Sequence, residues 1–257
     1  MSFRLLQFNM QFSQGWDDAD PDNAPFDLEA TIAEIKRHDA DLIYLQEVEQ
    51  ALPEGKQAQP PPNYARLKAA LSEYDSVFCY PKADVRELPF GIGLAIFSKT
   101  PLRDMVKHDL PSPPVEFDFY GETKTPTDRL LIEAKTEIEG HTLTLLNTHL
   151  LAFFMLKSSS EIHGEQRTQI GELLQRAREA TLLGGDFNVS QPDSLIAEYR
   201  QFGFESVQST EITWRRMPFV LDHIFFNAKL RPVGDQVVPT PTSDHHILIG
   251  DFEFTAP

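Results

Sequence analysis

The sequence has a single cysteine, Cys79, among its 257 residues. One cysteine excludes an internal disulfide and any metal site built from several thiolates. Long apolar runs are also missing, since the longest, Leu150–Leu156, is far shorter than the roughly 20 residues that a membrane-spanning helix needs. The first residues lack the apolar stretch and the small-residue cleavage site of a signal peptide. We therefore expect a cytoplasmic protein with no transmembrane segment.

Positive charge is scarce as well. Lys and Arg number 23 against 39 Asp and Glu, so the formal net charge is −16. Non-specific binding of long nucleic acids depends on Lys and Arg that neutralise phosphates, and no stretch of this chain is rich in basic residues. The charge balance disfavours a long nucleic acid as partner, although a local basic groove stays open.

The composition is otherwise that of an ordinary globular protein, with 41% apolar and 24% charged residues. No repeat and no linker divides the chain, so we expect one domain over residues 1–257. Predicted strands outnumber predicted helices and do not alternate with them one for one. This pattern favours two mixed β-sheets packed face to face, with helices outside, over a doubly wound parallel sheet.

Apolar periodicity and turn residues place the elements along the chain. The predicted strands cover residues 3–9, 41–45, 76–80, 91–98, 129–137, 141–148, 181–183 and 219–226, and a last strand follows 243–246. The predicted helices cover 63–74 and 160–180 and begin at Asp27 and Pro192. Residues 52–62 and 110–126 are expected to be loops because they are rich in proline.

The segment Gly184–Asn188 follows an apolar strand and is the point on which the other polar motifs are expected to converge. Two glycines permit a sharp turn. Asp186 and Asn188 should point to the same side, because side chains alternate along extended backbone, and Phe187 should face the core. A strand end with an Asx turn is the alternative interpretation.

Eight polar residues lie at or beside the ends of predicted strands, where groups from distant sequence can meet in one cleft. They offer carboxylates, amides and imidazoles but no thiolate, a set that favours Mg²⁺ or Mn²⁺. Because Mg²⁺ typically takes one or two protein carboxylates and leaves room for water and phosphate, the predicted substrate is a phosphate ester. The eight residues are Asn9, Glu47, His149, Asp186, Asn188, Asp222, Asp244 and His245.

Six short motifs contain these residues and lie between residues 5 and 245. They resemble the ordered motif set of the endonuclease/exonuclease/phosphatase superfamily of metal-dependent phosphoesterases. The resemblance implies a four-layered α/β sandwich of the DNase I-like kind. The motifs are Leu5–Asn9, Leu45–Glu47, Asn147–His149, Gly184–Asn188, Leu221–His223 and Ser243–His245.

For the cofactor, the resemblance implies Mg²⁺ or Mn²⁺ held chiefly by the carboxylate of Glu47, with Asn9 beside it. Asp244 would be a further carboxylate that either belongs to the metal site or positions water. One position departs from the family pattern. Nuclease-type members generally carry another acid two residues after the first-strand asparagine, where this chain has Gln11.

For catalysis, the resemblance implies that His245 is paired with Asp222, and that Asp186 and Asn188 hold and orient the attacking water. His149 would bind the phosphoryl oxygens, and a histidine there is similar to the DNase, sphingomyelinase and phosphatase branches. A carboxylate bonded to one imidazole nitrogen fixes the tautomer and raises the basicity of the other nitrogen. Whether the histidine acts as a general base or as a charged electrophile stays open.

An acidic segment near the amino terminus has the spacing of a calcium loop. Asp18, Asp20 and Asp22 stand at alternate positions, and Glu29 follows eleven residues after Asp18. Position six of such a loop is normally glycine, whereas this chain has Asn23. A solvated acidic loop is the alternative.

Other residues also leave two interpretations open. Arg129 either reaches the phosphate or pairs with Asp128. The run Leu150–Leu156 either lines a pocket or belongs to the core, and His149 itself could be a structural core histidine. Arg167 is expected to form an ion pair on a helix surface.

Three functions follow from the sequence. The first is a Mg²⁺-dependent phosphoesterase that acts on a small or lipid-like phosphate ester, as a phosphatase or a phosphodiesterase. The second is a nuclease with a localised basic groove. The third is a catalytically inactive scaffold that binds phosphate, which the complete motif set disfavours. Oligomeric state is not indicated by the sequence.

Overall fold

The structure is a computed structural model that describes residues 2–83, 92–119, 121–126 and 128–255. Its strands are β1 (Phe3–Asn9), β2 (Leu42–Gln46), β3 (Asp75–Cys79), β4 (Leu94–Ser98), β5 (Arg103–Leu110), β6 (Phe117–Phe119), β7 (Glu122–Lys124), β8 (Arg129–Ile138), β9 (His141–His149), β10 (Ala180–Asp186), β11 (Phe204–Ser206), β12 (Asp222–Asn227), β13 (Leu230–Val238) and β14 (Ile247–Phe254). Its α-helices are α1 (Leu28–Arg37), α2 (Pro62–Ala70), α3 (Glu165–Arg176) and α4 (Pro192–Arg200).

Two six-stranded sheets form the centre of the molecule. The strand order is β13-β14-β1-β2-β4-β3 in the first sheet and β11-β12-β10-β9-β8-β5 in the second. Each sheet has one parallel pair at its middle, β1 with β2 and β9 with β10. The neighbouring pairs are antiparallel. Both sheets are therefore mixed, as the sequence predicted.

The two sheets pack face to face, and helices cover their outer faces. Leu5 of β1 and Leu182 of β10 belong to one apolar core between the sheets. Ile32 of α1 and Leu67 of α2 pack in a second core on the outer face of the first sheet. Helices α3 and α4 bury their apolar faces against the second sheet. The predicted four-layered α/β sandwich is confirmed.

Helix α1 begins where the sequence predicted. The Asp27 carboxylate accepts a hydrogen bond of 2.9 Å from the Ala30 N–H, which satisfies one of the free N–H groups of the first turn. Leu28, Ile32 and Ile35 form its buried stripe. Among the helices of the described ranges, none has both the length and the apolar character needed to cross a membrane.

Several predicted bounds were wrong. The helix expected over 160–180 is α3, which begins only after Gly164, and Ala180 already belongs to β10. The helix expected over 63–74 ends at Ala70. The loop expected over 110–126 contains the hairpin of β6 and β7. Of the strand expected over 91–98, Gly91 lies outside the described residues, as does Tyr120 of the loop.

Strand polarity gathers the polar motifs at one edge of the sandwich. The parallel strands β1, β2, β9 and β10 all end there, and the antiparallel strands β12 and β14 begin there. The registers align Asn9 with Gln46, and they align Asp186 with both His149 and Asp222. Side chains that are far apart in the sequence are therefore neighbours at this edge.

The paired glycines of β10 lie within the strand, so the predicted sharp turn at this point is wrong. Glycine is required at both positions because other residues lie too close to leave room for a Cβ atom. A Cβ on Gly184 would lie 2.7 Å from the Tyr44 ring, and one on Gly185 would lie 2.1 Å from the Thr148 carbonyl oxygen. Backbone at that distance cannot move aside as the end of a flexible side chain can.

We expect Gly185→Ala to destabilise the protein by about 3 kcal/mol or more, because overpacking against backbone is costly. Urea unfolding measures the change. Gly164→Ala is the matched control, since its Cβ would meet no atom closer than 3.7 Å. Equal stability of the two variants would show that β10 does not need this close approach.

Candidate functional site

Asp186 lies at the centre of a cluster of predicted residues. Its Oδ2 accepts a hydrogen bond from Asn9 Nδ2 at 3.0 Å. The same oxygen lies 3.5 Å from His149 Nε2 and 3.6 Å from His245 Nε2. Its Oδ1 accepts a hydrogen bond of 2.9 Å from the backbone N–H of Asn188. Four of the predicted residues thus surround one buried carboxylate.

Glu47 adjoins this cluster just beyond the end of β2. Asn9 Nδ2 donates to Glu47 Oε1 at 3.2 Å, and His149 Nε2 lies 3.9 Å from the same oxygen. The backbone of Glu47 is left-handed, with φ of 50°, an uncommon conformation for a residue with a side chain. Burial, with repulsion from Asp244, raises the pKa of Glu47 to about 7.

Burial also raises the pKa of Asp186 to about 7, with the negative charge of Asp222 acting in the same direction. The site therefore holds several carboxylates in a space where water solvates them poorly. Each of them costs free energy in its charged form unless a cation or a hydrogen-bond donor compensates.

The pair Asp222 and His245 is present as the sequence predicted. His245 Nδ1 and Asp222 Oδ2 are 2.8 Å apart, and Asp222 is fully buried. Gln7 Nε2 donates to the other oxygen, Asp222 Oδ1, at 2.7 Å. Burial lowers the pKa of His245, but the charges of Asp222 and Asp186 outweigh it and raise the pKa to about 10.

Asp244 is held by residues that the sequence did not single out. Its Oδ2 accepts hydrogen bonds from Trp214 Nε1 at 3.1 Å and from Arg216 Nε at 2.6 Å. Arg216 Nη1 also bonds to Asp22 Oδ1 at 2.6 Å. The side chain of Gln11 accepts a hydrogen bond from the Asp244 backbone N–H at 3.1 Å.

The backbone after Asp186 is not extended. The expectation that extended backbone would point the side chains of Asp186 and Asn188 to the same side is therefore wrong. Asn188 has a left-handed φ of 50°, and its N–H closes an Asx turn on Asp186. The Asn188 carboxamide donates through Nδ2 to the Leu150 carbonyl at 3.0 Å. Phe187 is fully buried, as predicted.

Arg129 lies near enough to His149 and Glu47 for its charge to act on both. Burial, with the positive charges of Arg129 and His245, lowers the pKa of His149 well below its ordinary value, so the ring is neutral at pH 7. Arg129 lowers the pKa of Glu47 by its charge, and its Nε is buried without a hydrogen-bond partner. Among the described residues Arg129 forms no ion pair with Asp128, so the first of the two interpretations is favoured.

The acidic loop does not gather its carboxylates around one point. Asp18 accepts from Trp16, Asp20 accepts from Asn23, Asp22 pairs with Arg216, and Glu29 pairs with Arg66. Ligands of a calcium loop must converge on a single ion. The structure therefore favours the solvated acidic loop over the calcium loop.

Arg167 forms an ion pair, as the sequence predicted, but its side chain is buried and does not lie on a helix surface. It is 4% exposed, and its guanidinium joins α3 to Glu198 of α4 at 2.5 Å.

His223 and His246 have structural surroundings. His223 stacks on Phe225, and His246 lies 3.0 Å from the Arg215 guanidinium.

Three of the predicted residues lie close enough together to hold a cation. One oxygen each of Asp186 and Asp222 and one ring nitrogen of His245 lie within 4.8 Å of one another. All three residues are buried, and the hydrogen bond between Asp222 and His245 already accounts for part of this closeness. Acidic and imidazole groups that could bind a metal ion are thus clustered at this edge of the sandwich.

The model of the Endonuclease/Exonuclease/phosphatase family matches residues 6–245 of the chain. A search of curated proteins gave no match.

Solved structures with the same fold come from distant relatives. An endonuclease/exonuclease/phosphatase from Bacteroides vulgatus is 17% identical, with a TM-score of 0.71 over 99% of this chain and 100% of that one. One from Beutenbergia cavernae is 18% identical, with a TM-score of 0.70 over 98% and 72%. The human Nocturnin catalytic domain with a bound sulfate anion is 19% identical, with a TM-score of 0.63 over 99% and 95%. At these identities the likeness establishes the fold alone.

Proposed function

Since this chain belongs to the endonuclease/exonuclease/phosphatase family, we propose that it hydrolyses a small-molecule phosphate ester with the help of Mg²⁺ or Mn²⁺. The main support is the cluster in which Asn9, His149 and His245 all approach one oxygen of Asp186. Glu47 adjoins this oxygen through Asn9. Members of the family include phosphatases, phosphodiesterases and nucleases.

The donor set fits a hard divalent cation. Glu47, Asn9 and Asp244 would hold it, and the one cysteine, Cys79 of β3, is not among the residues of the cluster. Asn9 Oδ1 accepts one hydrogen bond, from the Gln11 N–H, so a second lone pair is free. When bound, such an ion neutralises negative charge on the phosphoryl oxygens. A nearby cation would also compensate the buried charge of Glu47.

The remaining residues would position the reactants. In-line attack on phosphorus spreads negative charge over the equatorial oxygens, so catalysis depends on positioning and charge neutralisation. His149 and Arg129 would bind those oxygens. Asp186 and Asn188 would orient the attacking water. The hydrogen bond from Nδ1 to Asp222 leaves His245 Nε2 directed at Asp186, where it can bond to a reacting oxygen.

Charge argues for a small substrate. The net charge of −16 opposes binding of a long polyanion. Arg215 and Arg216, which flank Trp16 at 5.3 and 5.4 Å, keep a nuclease as the second candidate. Arg216 is already paired with Asp22 and Asp244, however, which reduces the positive charge left for a nucleic acid. We also propose a cytoplasmic location, because the chain has a single cysteine.

A metal-supplemented screen tests the function. Phosphomonoesters, phosphodiesters, phospholipids and oligonucleotides are offered with Mg²⁺ or Mn²⁺, and EDTA is expected to stop the reaction. Asp186→Asn keeps the shape of the central side chain and should lose activity. Activity that survives in this variant would place the site elsewhere, and cleavage of oligonucleotides that weakens with salt would favour the nuclease.

Arg216 is expected to act by positioning Asp244. Arg216→Ala should lower kcat/KM about 10–100-fold, the usual cost of losing a residue that orients a metal ligand. Asp22→Asn is the matched control, because Asp22 bonds to the same guanidinium but its side chain is 80% exposed. Steady-state kinetics at several metal concentrations separate the effects. Equal losses in both variants would contradict the assignment to Asp244.

A further inference from the structure

Three aromatic residues form a wall beside the cluster. The ring centroids of Phe154 and Trp214 are 5.6 Å apart, those of Phe154 and Phe219 are 5.3 Å apart, and those of Trp214 and Phe219 are 6.3 Å apart. Phe154 lies in the segment after β9, and the other two lie before β12. We call these three residues the aromatic wall.

One end of the aromatic wall touches the site. The Trp214 ring lies 6.2 Å from the His245 ring, and its Nε1 donates to Asp244 Oδ2. The backbones of Trp214 and His245 also form an isolated antiparallel bridge. Phe154 follows His149 by five residues. The aromatic wall therefore begins where the phosphoryl group is expected to bind.

The other end of the aromatic wall faces solvent. Phe154 and Phe219 are only partly buried. The neighbouring Met155 is 61% exposed and Met217 is 48% exposed. The hydrolysis described above uses none of these four side chains. Partly exposed apolar groups next to convergent polar groups are typical of a ligand site.

We propose that the aromatic wall binds a planar aromatic group carried by the alcohol part of the phosphate ester. This inference rests on the proposed function and names its substrate class, phosphate esters that carry an aromatic ring system, such as nucleotides. Water attacks phosphorus, the bond from phosphorus to the alcohol oxygen breaks, and that oxygen leaves with a proton as the alcohol. The ring system stays on the leaving alcohol.

A ring fits the aromatic wall better than an alkyl chain does. The three ring centroids lie 5.3–6.3 Å apart, so the patch is short, whereas a long alkyl chain needs an extended groove. Aromatic pairs also gain from stacked or edge-to-face geometry beyond the area that they bury. The exposed methionines give the rim an adaptable apolar contact.

A matched pair of substrates tests the inference. Adenosine 5′-monophosphate and ribose 5-phosphate both carry the phosphate on the primary 5′ oxygen of ribose, and they differ in the base. We expect kcat/KM to be about 10–100-fold higher for the nucleotide, the usual effect of one base stacked on aromatic side chains. Octyl phosphate is the alkyl comparison. If the screen finds a diesterase, the methyl diesters of the same compounds are used.

Variants connect this preference to the aromatic wall. Phe154→Ala and Phe219→Ala should lower the ratio of the two kcat/KM values toward one. Phe219→Leu keeps apolar volume and should fold even where the alanine variant does not. Met105→Ala, on β5 and 54% exposed in the native chain, is the control and should keep the native ratio. Circular dichroism checks that each variant is folded.

The outcomes separate the two proposals. Failure to hydrolyse any ester with metal present would overturn the proposed function. Equal kcat/KM for adenosine 5′-monophosphate and ribose 5-phosphate, unchanged in the Phe154 and Phe219 variants, would overturn the aromatic-group inference alone. A preference for octyl phosphate that the same variants abolish would assign the aromatic wall to an alkyl chain and would also overturn it.

Discussion

Glu47→Gln is expected to lower metal-dependent hydrolysis about 10³-fold, because the interaction of a metal ion with the reacting phosphate is worth several kcal/mol. Glutamine keeps the shape of the side chain but removes the charge that would hold the ion. Initial rates at increasing Mg²⁺ concentration measure the loss. Glu49→Gln is the matched control, since Glu49 is buried nearby but accepts a hydrogen bond from the Tyr64 N–H instead. Similar losses in both variants would contradict the role of Glu47.

The same substitution should stabilise the metal-free protein at alkaline pH. The folded pKa of Glu47 is raised to about 7, so the native state binds its proton more tightly than the unfolded chain. Stability is then lost as pH rises from about 4.5 to 7, by about 3 kcal/mol at most. Urea unfolding in EDTA should show Glu47→Gln more stable than the native protein at pH 8 but not at pH 4. A native protein that is more stable at pH 8 would mean that the charge is compensated within the chain.

His245→Gln is expected to lower kcat about 10²–10⁴-fold, the usual contribution of proton transfer by a positioned side chain. Asp222→Asn should cost a comparable factor, because Asp222 fixes the ring through Nδ1 at 2.8 Å. Residues that act as a unit are not additive, so the double variant should lose little more than the worse single variant. Steady-state kinetics of the three variants provide the comparison.

His108→Gln controls for the loss of a histidine. His108 lies on the outer strand β5 and pairs with Glu133 of β8. The activity of this variant should equal that of the native protein. If the losses of His245→Gln and Asp222→Asn simply add in the double variant, the two residues do not act as a unit.

Much of the fold could be predicted because the central strands are almost wholly buried. All of Leu42–Gln46 in β2 and of Ala180–Asp186 in β10 is buried, and such strands form continuous apolar runs. Strands β5 and β13 were missed because most of their residues are exposed or partly exposed. Edge strands of this kind carry little apolar alternation to recognise.

The candidate site could be predicted where a motif marked it. Asn9, Glu47 and Asp186 each lie at or just after the end of a strand, a position readable from the sequence. Gln7 lies inside the motif Leu5–Asn9 but had no predicted role, and Arg216 lies outside the six motifs. Their contacts span 215 and 28 residues of chain. Only the packing of the two sheets shows that they hold Asp222 and Asp244.

The glycines before Asp186 show a different limit. The sequence suggested a turn, because glycine is common in turns. The structure shows instead that Gly184 and Gly185 make room for Tyr44 and Thr148. Close approach between distant strands leaves no local pattern in the sequence.

Diffraction from crystals soaked in Mn²⁺, recorded at the manganese absorption edge, tests most directly which residues hold the metal. We expect an anomalous peak about 2.0–2.2 Å from an oxygen of Glu47, a typical distance for a hard divalent cation, with Asn9 and Asp244 adjoining. A peak found only between Asp186, Asp222 and His245, with none at Glu47, would contradict this assignment.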